Sequence, residues 1–127
     1  MDIKELYTVD SHEAGSELRL TSPLDGAITD CYLTIVGIDS AVWREAEIKG
    51  KRQVLELFKT GDSDEKAHGS IVAETLSSAV IAWRGFENEG KSLKFDRAFL
   101  KDLIVNSPSI GDQIDHFIAD RVNFIKG

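Results

Sequence analysis

Three observations predict a mainly helical α+β fold, with about four helices and an N-terminal β-hairpin. From Ala41 onward the apolar residues recur at helical spacing, punctuated by Gly61, Gly85 and Asn106-Ser107-Pro108. Ahead of them, Glu17 to Thr21 alternates and Cys31-Tyr32-Leu33-Thr34-Ile35-Val36 is rich in β-branched and aromatic types, the signature of strands. The chain has 127 residues, 42% hydrophobic and 29% charged, which suits one core and a globular composition. With no repeat, low-complexity tract or linker, we expect one α+β domain over residues 17–127. Residues 1–16 show no sustained period and read as a tail or a short docked helix.

The elements follow in order. Between the two strands, Pro23 and Asp25-Gly26 supply turn chemistry for a hairpin with a longish loop. After Gly37, Asp39 or Ser40 caps a helix running to about Lys59. At 100° per residue, Val42, Trp43, Ala46, Gly50, Val54, Leu57 and Phe58 fall on one broad face of it, and Ile48 and Leu55 on another. The second stripe meets either more core or another chain. Gly50 costs up to about 1 kcal/mol against alanine mid-helix, which a close helix approach would offset.

A second helix starts at Asp62, with Glu65 as its capping-box partner. Its strongly patterned part runs from Ile71 to Trp83, with Val72, Leu76, Ala79 and Trp83 facing the core. Gly85 then takes a left-handed C′ position and Phe86 folds back on Ile81. Phe86 to Phe95, with Asn88-Glu89-Gly90 at the tip, reads as a small hairpin. Asp96 caps a short helix to about Val105 that buries Phe99, Leu100, Leu103 and Ile104. Pro108 opens a last helix to Phe124, with Ile110, Ile114, Phe117, Ile118 and Ile125 on its apolar face.

Charge narrows the partners. The net charge is −7, and residues 1–40 carry eight acids against two bases. That balance argues against nucleic acid, whose binding draws on a basic patch. The acidic first third either steers a basic partner or keeps the chain soluble. No apolar run approaches the approximately 20 residues needed to span a bilayer, and one cysteine, Cys31, fits a reducing cytoplasm.

Chemistry is sparse. Phosphate loops, zinc helices, paired CxxC and GxSxG elbows are absent from the sequence, so no cofactor is expected. The calcium-like stretch from Asp62 fails, with Lys66 at a ligand position and Ala67 where glycine is required. Asp112, His116 and Asp120 lie opposite the last helix's apolar stripe and read as a solvated face before they read as a metal site. Cys31 reads as a core thiol, with a Cys-His nucleophile as the sharper alternative. Arg121, at helical spacing, lands among the isoleucines of the last helix. It pairs with a carboxylate inside the domain or anchors a protein interface. The candidate interface residues are therefore Ile48, Leu55 and Arg121.

Three stretches together resemble the tail assembly chaperones of long-tailed, non-contractile-tail bacteriophages. They are Gly37-Ile38-Asp39-Ser40 leading into Ala41 to Ala46; Trp83-Arg84-Gly85-Phe86 with Gly90, Leu93 and Phe95; and Ile110-Gly111-Asp112-Gln113-Ile114 and Phe117-Ile118 followed by Arg121-Val122-Asn123-Phe124. The resemblance spans about residues 17–125. It implies a non-catalytic factor of the host cell cytoplasm, absent from the mature virion. Such a factor binds the tape measure protein, keeps it soluble and recruits tail tube subunits. It also implies homo-oligomers, in spiral arrangements, and a longer frameshifted product in many members, of which a chain stopping at Lys126-Gly127 suits the short form. Readings from other classes are an acidic regulatory protein-binding module that mimics DNA charge, and a small hydrolase using Cys31.

Overall fold

The computed structural model describes residues 1–61 and 65–125. The first strand β1 (Ser16–Thr21) pairs antiparallel with β2 (Ile28–Ile35), Leu18 opposite Leu33, with a register shift between Arg19 and Thr21. The pleat sorts their residues. Leu20, Leu33 and Ile35 are buried, while Glu17, Arg19 and Tyr32 take the other face, where the Arg84 guanidinium lies 3.7 Å from the Tyr32 ring centre and reaches Glu17 at 2.8 and 3.2 Å.

The hairpin is only part of the sheet. Its third strand is β3 (Val80–Arg84), antiparallel to β2 with Leu33 opposite Trp83, so the order is β1-β2-β3. The helix expected to continue through Trp83 therefore stops at Ser78. Two causes coincide. Val80-Ile81-Ala82-Trp83 is β-branched and aromatic, and the far edge of β2 offers ladder partners that a helix would leave unpaired. Gly85 does hold a left-handed conformation, φ +88°, but at a strand exit, where a side chain would collide with the Asp30 carbonyl. Phe86 stacks on Trp83 at 4.5 Å between ring centres instead of folding back on Ile81.

Before the sheet, a 3-10 turn (Ile3–Leu6) leads into a short helix α1 (Val9–Ala14). After β2, Ser40 caps α2 (Ala41–Lys59), its hydroxyl accepting from the Trp43 amide at 3.2 Å. Helix α3 (Glu65–Ser78) packs on α2, and buries Ala73, Leu76 and Ser77; Val72, expected in the core, lies on its exposed side. The proposed Asp62 cap falls outside the described residues. Asp96 caps α4 (Arg97–Asn106), accepting from the Ala98 and Phe99 amides. Leu100 and Ile104 are buried there, and Phe99 is exposed, contrary to the spacing argument.

Two short strands, β4 (Glu87–Asn88) and β5 (Lys91–Ser92), form the expected small hairpin. Glu89 and Gly90 both have positive φ, as a type I′ turn requires. Helix α5 (Pro108–Ala119) opens on its proline and presents Ile110, Ile114 and Ile118 to the core. It is moored to β1 by Gln113, whose amide accepts from the Thr21 N–H at 2.9 Å and donates to the Thr21 carbonyl at 3.1 Å. The last helix does not reach Phe124. Asp120 ends it and caps a separate 3-10 turn (Arg121–Phe124), which buries Phe124 and leaves Ile125 exposed. With five α-helices among the described residues and a three-stranded sheet, the fold is mixed and mainly helical.

Candidate functional site

A broad, open groove of about 540 Å³, lined mainly by apolar side chains, runs between α2 and α3. Trp43, Gly50, Val54, Ile71, Val72 and Leu76 form its floor and walls, with Glu47, Lys51, Leu55 and Asp115 also lining it. Gly50 explains why the helices approach closely: it is buried against Thr75, whose hydroxyl occupies the space a methyl group would need. Trp43 is buried with its indole Nε1 unpartnered among the described residues. An N–H left that way costs about 1–3 kcal/mol.

Alongside the groove, Ile48 is 58%, Leu55 61% and Phe58 70% exposed. Phe58, placed on the core side by the spacing argument, joins the two residues singled out as a second stripe. At 100° per residue, Arg44, Ile48, Lys51, Arg52, Leu55, Phe58 and Lys59 fall within an arc of about 120° that contains no acid. All seven are exposed. Lys51 reaches Glu47 at 3.8 Å, a weak surface pair. This face of α2 is therefore both apolar and basic, on a chain that is acidic as a whole.

Arg121 lies elsewhere. The break at Asp120 takes it off the isoleucine face of α5, and its guanidinium grips the Asp39 carboxylate with Nη2 at 2.9 Å and Nε at 3.2 Å. It pairs inside the domain. The same carboxylate accepts from the Thr8 hydroxyl at 2.6 Å and lies 3.5 Å from His12 Nε2. Hydrogen bonds from Arg121 first and Thr8 second, with the positive field of Arg121, hold Asp39 well below the usual carboxylate range.

His12 completes the cluster and was not singled out in the sequence. It is 2% exposed, stacks on Phe124 at 4.8 Å, and its Nδ1 accepts from the Asp39 backbone N–H at 3.0 Å, which places the ring proton on Nε2. Gly37 is required beside it, since a side chain there would occupy the imidazole. A buried histidine facing a carboxylate has the look of an acid-base pair. The Thr8 hydroxyl beside it donates to the Asp39 carboxylate, and so is engaged by the same carboxylate that faces the ring. The cluster joins the N-terminal segment, the entry to α2 and the C-terminal 3-10 turn.

The Cys31 thiol is half-buried and donates to the Gly85 carbonyl at 3.4 Å. Among the described residues no group of three or more His, Cys, Asp or Glu is placed to hold a metal ion, Asp112, His116 and Asp120 included. Trp83 Nε1 donates to the Leu93 carbonyl at 3.0 Å, and its ring meets Phe86 and Phe95.

Comparison with protein-family models, with curated proteins and with solved structures gives no match. The function must be read from the surface itself. That surface exposes apolar side chains in two places that bear on contact, Ile48, Leu55 and Phe58 on α2 and Ile3, Leu6 and Tyr7 in the N-terminal segment.

Proposed function

We propose that the chain is a non-catalytic phage tail assembly chaperone and scaffold. It associates with itself, binds the tape measure protein, keeps that protein's long helices soluble in the host cytoplasm and recruits tail tube subunits. The observation that carries this reading is the apolar α2 face beside an open helix-lined groove, since monomeric proteins rarely expose contiguous apolar surface without a partner for it. A groove between two helices suits an amphipathic client helix. The stretches that carry the family resemblance add support through their mutual contacts: Asp39 of the first grips Arg121 of the third, and Trp83 packs on Phe86 and Phe95 within the second.

The DNA-mimic reading has less to stand on. Such a mimic needs a regular array of free acids, whereas Glu17, Asp30 and Asp39 are engaged by Arg84, Arg19 and Arg121. Co-expression with the tape measure protein of the same phage tests the proposal. The chaperone reading expects a soluble complex where the tape measure protein alone precipitates. An unchanged insoluble fraction, with both proteins well expressed, would overturn it.

A further inference from the structure

The basic, apolar face of α2 has a complement on the same chain. Residues 1–10 are all exposed, and they interleave the apolar Ile3, Leu6 and Tyr7 with three acids, Asp2, Glu5 and Asp10, against one base, Lys4. This arm has the opposite charge to the α2 face and the same need for apolar cover. Its own chain holds it at the start of α2, where the Thr8 hydroxyl is bonded to Asp39 and the arm lies beside Arg121 and Val122. Leu55 and Phe58 sit at the other end of the helix, roughly 20 Å away at 1.5 Å per residue.

We infer that the acidic arm of one copy docks on the basic, apolar face of α2 of a second copy. The inference rests on the self-associating scaffold proposed above and names the surfaces that meet. Because the two surfaces differ, the contact is heterologous, and repeating it builds a ring or an open helix instead of stopping at a dimer. The apolar side chains supply cohesion. The opposed charges set direction and make association sensitive to salt.

Sedimentation velocity on two point variants, alone and mixed, tests it. Leu55→Glu spoils the α2 face and keeps the arm; Leu6→Glu spoils the arm and keeps the face. The wild-type chain should form species that grow with concentration and shrink with added salt, and each variant should be monomeric. Mixed in equal amounts, the variants should form a heterodimer and nothing larger, since each contributes one intact surface. A mixture that stays monomeric while wild type assembles overturns the pairing, as does either variant assembling like wild type. A wild-type chain that stays monomeric overturns it too; if that monomer binds phosphatidylserine vesicles, the basic face is a lipid surface instead. Should circular dichroism show Leu55→Glu unfolded, Lys51→Glu on the same face takes its place. Failure to solubilise the tape measure protein with this pairing intact would count against the chaperone role alone.

Discussion

At its first turn helix α2 is tied on several sides, whereas farther along it is open. Ser40 caps it, and Asp39 just before it is held by Arg121, Thr8 and the backbone bond to His12. Beyond Arg44 the outward side carries Ile48, Leu55 and Phe58 into solvent among lysines and arginines. The first region pairs its polar groups with one another. The second leaves apolar groups uncovered. The difference teaches where to look for function in this chain: the residues with the most chemical promise on paper build the fold, and the plain aliphatic ones face outward.

The comparison sharpens first through the Trp83 cluster, which belongs with the fold-building residues. Trp83→Ala should lower stability by about 3 kcal/mol, the low end for a tryptophan because the ring is half-buried. Urea denaturation checks this, and an unchanged midpoint would move Trp83 to the binding surface. His12→Ala should cost about 2 kcal/mol, from the lost Phe124 stack and the stranded Asp39 N–H. A loss of client binding at unchanged stability would reverse the assignment of that cluster.

Asp39 gives the same region a pH signature. Its folded-state carboxyl is depressed below its ordinary value of 3.8, so the stability it contributes is present above that value and lost as pH falls below it. Asp39→Asn should flatten the acid limb of a stability profile. Some slope will remain, because Arg84 also lowers the Glu17 carboxyl.

Sequence pattern made the capped starts of α2, α4 and α5 legible, because Ser40, Asp96 and Pro108 act locally. It misassigned Val80 to Trp83, whose strand depends on an edge of β2 some fifty residues earlier. It carried α5 past Ala119, since a helical wheel assumes a helix that Asp120 in fact ends. Of the site, Ile48 and Leu55 were readable as a second stripe. Phe58 was not, because its position within about 60° of Trp43 on the wheel put it with the core face. The Asp39 cluster escaped for another reason: Thr8, His12, Asp39 and Arg121 come from three distant segments, and no spacing rule joins them.

A smaller effect probes the floor of the groove. Gly50→Ala gains helix propensity but pushes a methyl group into the Thr75 hydroxyl, which is bonded to the Ile71 carbonyl. We expect a net loss of about 1 kcal/mol in a thermal melt. A gain would mean that α2 and α3 part easily and that the groove widens on demand.

The central claim is that the outward face of α2 serves binding and contributes little to folding. The double variant Ile48→Glu, Leu55→Glu tests it most directly, with urea denaturation and sedimentation run on the same sample. Exposed positions predict a stability within about 0.5 kcal/mol of wild type, together with a monomer where wild type associates. A variant that unfolds would put those side chains in the core, and one that folds and still assembles would place the contact elsewhere.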